Sequence, residues 1–338
     1  MVNITDVANR AGVSHQTVSR VLNTEDAVRP ATRARVERAI QELNYRPSAV
    51  ARALVSRKTR TLGLISTGMP LYGPSSTMLG FNEAAREADY QVTIASMATS
   101  GRGAMLAAVE VLLRQNVEAL VLIASDRDAL DAIAGVELGV PLVTVESSGR
   151  TRFCSVSIDQ FEGARLATAH LADLGHREIL HLSGPPESLD AAERERGWRA
   201  ELHNRGLAAR DMLIGNWLSE SGYQCGQRLA ESQDFTAIFS ANDQMALGLL
   251  HAFSDAGIRV PEDVSIVGFD DMPEAAHFTP PLTTIRQDFG ELGREIMATL
   301  LTVLAGNEVT EAVQAKPELI VRRSAGGLQA PASSSDQG

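Results

Sequence analysis

Thr5-Asp6-Val7-Ala8-Asn9-Arg10-Ala11-Gly12-Val13-Ser14-His15-Gln16-Thr17-Val18-Ser19-Arg20-Val21-Leu22-Asn23 reads as two short helices joined by a tight turn. Thr5 is a suitable N-cap, because its hydroxyl can accept an orphan N–H of the first turn. Val7, Ala8 and Ala11 fall on one helical face. Gly12 can supply the positive φ that the turn needs, and Ser14 is placed to cap the second helix. That second helix is two-sided. Val18, Val21 and Leu22 lie opposite Gln16 and can pack on the first helix. Gln16 and Arg20, four residues apart, share the outer side, and His15 projects from its N-terminal end. Arginine suits the O6/N7 edge of guanine and glutamine the N6/N7 edge of adenine. Thr17 and Ser19 flank this face and suit phosphate oxygens, and Asn23 completes the candidate DNA-binding set. An ordinary amphipathic helix pair would have the same geometry. The side chains on the outer face therefore carry the reading of a helix-turn-helix.

Asp6-Val7-Ala8, Ala11-Gly12-Val13-Ser14 and Thr17-Val18-Ser19-Arg20-Val21 together resemble the DNA-binding headpiece of the LacI/GalR family of bacterial transcription regulators. Charge agrees. The 338 residues carry a formal charge of −11, but residues 1–60 hold eleven Lys/Arg against five Asp/Glu, and the remainder holds 20 against 37. A basic head on an acidic body points to nucleic acid at one end. Pro30 suits the first turn of a third helix. Val36, Ala39, Ile40 and Leu43 then repeat at helical spacing and would close a three-helix core, while Arg33, Arg35 and Arg38 read mostly as a solvated face. Asn44-Tyr45-Arg46-Pro47 ends that helix. Residues 48–55 are helix-prone but too short to be stable alone; an ordinary linker is one reading. The resemblance implies instead a hinge helix that forms when two chains meet on DNA, with Leu54 wedged into the minor groove.

From residue 61 short apolar runs (Leu62–Ser66, Gln91–Ala95, Ala119–Ala124, Leu142–Val145, Val156–Asp159, Ile179–Leu182, Ala237–Ser240, Ser265–Phe269) alternate with amphipathic segments such as Ala104–Gln115 and Gly163–Leu174. This alternation predicts an α/β core of doubly wound parallel sheets, and its length predicts two lobes. Gly175-His176-Arg177-Glu178-Ile179, residues 241–248, Val267-Gly268-Phe269-Asp270-Asp271 and residues 279–288 resemble the same family, whose core has the periplasmic-binding-protein fold. The resemblance runs from about Asn3 to about Arg323. The expected organisation is a headpiece at 1–46, a hinge helix and linker at 47–60, and a ligand-binding and dimerisation core at 61–324. Within the core, one lobe takes about 61–159 and 287–316, the other about 160–286 and 317–324. The small, polar stretch 325–338 is expected to be disordered. The leucine-heptad helix that makes tetramers in the family has no counterpart here, so a homodimer is expected.

Ligands of two-lobed α/β proteins bind at the carboxyl ends of strands, in the cleft. A sugar asks for planar bidentate partners for its hydroxyls and an aromatic plate for its C–H face. Asp270 follows Ser265–Phe269, Asn242 follows Ala237–Ser240, Arg194 lies beyond Ile179–Leu182, and Trp217 sits in Gly215-Asn216-Trp217-Leu218. The resemblance matches these four to sugar-contacting positions. It also places Leu71, Gly73, Pro74 and Thr77 on an N-lobe wall, Ile158 and Phe289 at apolar wall positions, and Gln287 near a lobe crossing. Two departures bear on specificity. Glu146 stands where the family pattern that the chain most resembles has Asp, and Asp190 where it has Ser. His15 likewise replaces a Tyr in the recognition helix. Competing readings exist: Asp270 as a turn or helix cap, Arg194 within the solvated run Glu193-Arg194-Glu195-Arg196, and a tryptophan as core, as Trp198 is expected to be.

No nucleophile elbow, metal-ligand spacing among the histidines or phosphate-binding glycine motif occurs, so neither an enzyme nor a cofactor is expected. Cys154 and Cys225 read as free thiols. No run of about 18 apolar residues exists, and the N-terminus lacks the pattern of a signal peptide; the expected location is the cytoplasm. The implied function is a transcriptional repressor whose operator affinity falls when a small sugar, a galactoside by resemblance, binds between the lobes. Two alternatives are a corepressor-type regulator that needs ligand to bind DNA and a solute-binding protein for uptake.

Overall fold

Asn3, not Thr5, starts the first helix. In the computed structural model Asn3 Oδ1 accepts the N–H groups of Thr5 (2.8 Å) and Asp6 (3.1 Å), and Asp6 Oδ2 accepts that of Asn3 (2.8 Å). This reciprocal capping box places Thr5 inside α1 (Ile4–Ala11). The structure describes residues 2–23, 28–45, 58–67, 71–149, 153–232, 234–309 and 312–328, which divide between Arg60 and Thr61 into two compact units.

In the first unit Gly12 ends α1 at φ 66° and donates its N–H to Ala8 and Asn9. Ser14 Oγ accepts the N–H of Thr17 (3.2 Å) at the start of α2 (His15–Asn23). Pro30 opens α3 (Pro30–Glu42). Val7, Ala8, Ala11, Val18, Val21, Val36 and Ala39 form the core of the three helices. Arg33 is not purely solvated: its guanidinium donates to the Val21 carbonyl (3.3 Å), near the C-terminus of α2, where a cation is favoured. The expected hinge helix, with Leu54, lies outside the described residues.

The second unit holds two sheets. The first contains β1 (Thr61–Thr67), β2 (Gln91–Met97), β3 (Ala119–Ile123), β4 (Leu142–Val145), β5 (Cys154–Ile158) and β11 (Val313–Ala315), in the order β11-β5-β4-β3-β1-β2. All of its pairings are parallel. Such strands are covered on both faces. One face is covered by α4 (Tyr72–Glu87) and α11 (Phe289–Leu304) through Phe81, Ala85, Ile296 and Leu300. The other is covered by α5 (Arg102–Arg114) and α6 (Arg127–Ile133) through Met105, Leu112 and Leu130.

The second sheet contains β6 (Ile179–Ser183), β7 (Leu213–Ile214), β8 (Ala237–Ser240), β9 (Ser265–Asp270), β10 (Thr283–Arg286) and β12 (Glu318–Ile320), in the order β12-β10-β9-β8-β6-β7. Only β12 runs antiparallel to its neighbour. It is covered by α7 (Gln160–Asp173) and α8 (Leu189–Asn204), which bury Ala164, Leu171, Trp198 and Leu202. The opposite face takes α9 (Ser219–Ala230) and α10 (Asp243–Asp255). The chain passes between the sheets three times, from β5 to α7, from β10 to α11 and from β11 to β12.

Residues 325–328 depart from the expectation of a disordered tail. The Gly326 carbonyl accepts from Ser265 Oγ (3.2 Å) and lies 3.0 Å from His176 Nε2, and the Leu328 N–H reaches the Leu174 carbonyl (3.3 Å). Buried Ser265 and His176 need polar partners, and this segment supplies them.

Helices α9 and α10 meet backbone to backbone. A Cβ on Gly248 would lie 2.0 Å from the Ser219 carbonyl oxygen, and one on Gly222 would lie 2.1 Å from that of Met245. Gly248→Ala should therefore force the pair apart and destabilise the unit by about 1–3 kcal/mol. Equilibrium denaturation would measure this loss; an unchanged midpoint would show that the helices can separate freely.

Candidate functional site

The carboxyl ends of both sheets border one cleft, which holds about 790 Å³ of space, part of it open to solvent. Leu71, Pro74, Glu146, Asp190, Arg194, Trp217, Asn242, Asp270, Gln287 and Phe289 all line it, as do Gly73, Thr77 and Ile158.

A closed ring of polar side chains forms its floor. Arg194 Nε donates to Gln160 Oε1 (2.9 Å), Gln160 Nε2 to Gln287 Oε1 (2.8 Å), and Gln287 Nε2 to Asp270 Oδ1 (2.6 Å). Arg194 Nη2 lies 3.8 Å from the same Asp270 oxygen. All four residues are buried. Arg194 therefore does not belong to a solvated run: it also donates to the Ala241 carbonyl and lies 3.8 Å above the centre of the Phe269 ring. Gln160 escaped the sequence reading. Its signal was position, since it directly follows Ile158-Asp159 at the first lobe crossing as Gln287 precedes Asp288 at the second.

Burial raises the Asp270 carboxyl to about 6, against the opposing pull of the Arg194 charge and the Gln287 hydrogen bond. Its backbone sits at φ 114°, a conformation that favours glycine and that surrounding structure must hold. The next residue supplies part of that hold: Asp271 pairs with Arg286 (2.7 Å) and Arg322 (2.6 Å).

The indole of Trp217 lies on bare backbone. A Cβ on Gly184 would come within 2.2 Å of the ring, so glycine is required there. Asn242 is a cap as well as a wall residue. Its Oδ1 accepts the Met245 N–H (2.9 Å) at the start of α10, and its Nδ2 donates to the Trp217 carbonyl (3.0 Å). It thereby fixes the loop that presents the indole. Trp198, by contrast, is fully buried in the core.

The two departures have separate partners. Asp190 Oδ1 accepts from Ser147 Oγ (2.6 Å), a bond between elements of different lobes, and Asp190 Oδ2 lies 3.9 Å from Arg194 Nη2. Glu146 Oε2 accepts the N–H and hydroxyl of Ser148 (2.6 and 2.5 Å). On the apolar side, Phe289 meets Tyr72 edge-on at 5.7 Å, and Thr77 Oγ1 donates to the Gly73 carbonyl (2.9 Å) within the first turns of α4.

In the first unit His15, Gln16 and Arg20 are exposed, while Val18 and Val21 are buried. Thr17 Oγ1 lies 3.0 Å from Ser14 Oγ, and Ser19 is half-buried. The Asn23 side chain lies outside the described residues.

A profile for bacterial regulatory proteins of the lacI family matches residues 3–48, and one for a periplasmic binding protein-like domain matches residues 168–325. The lactose operon repressor of Escherichia coli (strain K12) is 37% identical over 325 residues, 95% of this chain and 90% of that protein. The chain belongs to the lacI family of bacterial regulatory proteins. It is thus a DNA-binding transcription regulator, and its lacI-family relatives are not enzymes. Two solved structures agree with this fold. The lac repressor dimer bound to operator and the anti-inducer ONPF has a TM-score of 0.86 at 35% identity, covering 96% of this chain and 99% of that one. A complex of the transcriptional regulator CelR with cellobiose has a TM-score of 0.71 at 32% identity, covering 96% and 100%. Among the described residues of this family member, no helix is long and apolar enough to cross a membrane.

Two outcomes are expected. Arg20→Ala leaves the headpiece core intact and should cost about 1–3 kcal/mol of discrimination between an operator and its base-substituted variants; gel shifts on a set of variant sites measure this, and unchanged discrimination would reject the assigned reading face. The native state binds a proton at Asp270 more tightly than the unfolded chain, whose carboxyl titrates near 3.8. The contribution of Asp270 to stability should therefore fall as pH rises from about 4 to about 6. Asp270→Asn should flatten that slope in denaturation curves; an identical slope in the variant would contradict the assignment.

Proposed function

We propose that this lacI-family protein is a cytoplasmic, homodimeric transcriptional repressor whose operator affinity falls when a saccharide binds between the lobes. The observation that carries the reading is the cleft itself. A buried arginine and carboxylate, joined through two glutamines, share it with a tryptophan held by Asn242 and Gly184. Hydroxyls of a pyranose suit the first set, and the indole suits a C–H face. A flat nucleobase would leave the carboxylates without hydroxyl donors.

His15, Gln16 and Arg20 supply base contacts in this reading, with Thr17, Ser19 and Asn23 beside them and Leu54 wedging the operator centre. In the cleft, Asp270 and Arg194 orient the sugar, Trp217 stacks on it, Leu71, Pro74 and Phe289 form the apolar wall, and Gln287, Glu146 and Asp190 meet hydroxyls. A galactoside is the first candidate, because the lactose operon repressor is a relative along nearly the whole chain. The CelR complex makes cellobiose the second. For release, ligand must favour the DNA-incompetent state; a ~100-fold preference corresponds to about 2.7 kcal/mol.

The test is tryptophan fluorescence with galactosides, glucose, maltose, cellobiose, ribose and adenine, read beside operator binding. A saturable change with a saccharide, lost in Trp217→Phe and abolished in Asp270→Ala while operator binding survives, is the expected result. Response to adenine alone would replace the saccharide reading with a corepressor-type one.

A further inference from the structure

Among the described ionisable residues lining the cleft stand three carboxyl groups, Glu146, Asp190 and Asp270, and one guanidinium, Arg194. Two of the three guanidinium nitrogens are already committed. Arg194 Nε and Nη1 donate to Gln160 and Ala241, and its Nη2 lies 3.8 Å from Asp270 and 3.9 Å from Asp190. Glu146 is different. Only 4% of the residue is exposed, its Oε2 is held by Ser148, and its Oε1 is buried with no hydrogen-bond donor among the described residues. A buried acceptor without a donor is costly, and the residue that carries it lines the cleft. Such an atom asks for a donor on the ligand and repels an anion.

We infer that Glu146 and Asp190 make the cleft a filter against anionic ligands, so that the effector is an unphosphorylated saccharide that donates a hydroxyl to Glu146 Oε1. The inference rests on the saccharide reading above and narrows it. A phosphate or carboxylate on the sugar would bring negative charge into a half-enclosed site whose described lining holds more carboxylate than cation. The exchange of free hydroxyl for phosphate also removes a donor. A kinase reaction that transfers phosphoryl from a nucleoside triphosphate to the effector's hydroxyl would accordingly consume the signal, and the regulator would report the sugar before that step.

Calorimetric titration of the full-length protein at neutral pH with matched pairs tests this: galactose, lactose, cellobiose and ribose against galactose 6-phosphate, lactose 6′-phosphate, cellobiose 6′-phosphate and ribose 5-phosphate, with galacturonate added. The expected result is that a neutral sugar binds and its anionic counterpart binds at least ~100-fold more weakly. Glu146→Gln with Asp190→Asn, which keeps an acceptor for Ser147, should narrow that gap tenfold or more while operator binding is retained. A merely structural role would weaken both ligands together and leave their ratio unchanged, which would overturn the filter. A phosphorylated sugar that binds as tightly as its parent would overturn it too, with the saccharide reading intact. Silence from every sugar, neutral and anionic, would overturn the saccharide reading and the filter with it.

Discussion

A buried guanidinium must be paired, and Arg194 is the group around which the second unit is arranged. An arginine stripped of water is tolerated only where its charge and its donors are met. Here they are met by four groups from three parts of the chain: Gln160 at the first lobe crossing, the Ala241 carbonyl beyond β8, and, at the end of β9, Asp270 and the face of Phe269. Gln287, at the second crossing, closes the ring by joining Gln160 to Asp270. Removing one member would leave the others buried and unsatisfied, so the network holds as a unit. Two of the three crossings are thereby tied to the floor of the cleft. A ligand that takes a hydrogen bond from this ring reaches the segments about which the lobes would turn.

The C-lobe supplies a preformed half of the cleft. Asp270 at φ 114°, Asp271 at φ 51° and Trp217 at φ 74° are all held in backbone conformations that L side chains rarely adopt. Each is held by identifiable contacts: the ring for Asp270, two arginines for Asp271, the Asn242 amide and the Gly184 backbone for Trp217. Strain of this kind clusters where a side chain has to be aimed. The N-lobe contributes strand ends and the first turn of α4, and Ser147 reaches across to Asp190.

The headpiece and the alternation of the core were legible because their signals are local. Gly12 and Ser14 punctuate the turn, and Val18 and Val21 repeat at helical spacing. The first cap was misplaced because a threonine and an asparagine both suit that role. Asp6, three residues beyond Asn3, was the discriminating sign. β7, β10, β11 and β12 were not among the eight apolar runs read as strands. β7, β11 and β12 have only two or three residues each, too few to establish a period, and in β10 only Ile285 is apolar. The burial of Arg194 could not be read from Glu193-Arg194-Glu195-Arg196, since its partner Gln160 is 34 residues away. The resemblance to a family pointed to Arg194, but not to the glutamine that holds it. Asn242 was legible as a strand-end polar residue, whereas the commitment of its amide to α10 and to Trp217 depends on tertiary structure.

The central claim is that the cleft and the DNA-reading face are coupled, with opposite preferences. Linkage makes this measurable in one quantity, because a ligand that weakens operator binding must itself be weakened by operator to the same degree. Saccharide affinity should therefore be titrated on the free protein and on the protein saturated with operator DNA. The account predicts weaker binding to the operator complex, by the same factor that the saccharide lowers operator affinity. Equal affinities would mean that the two sites are uncoupled, and tighter binding to the complex would mean that the ligand is a corepressor.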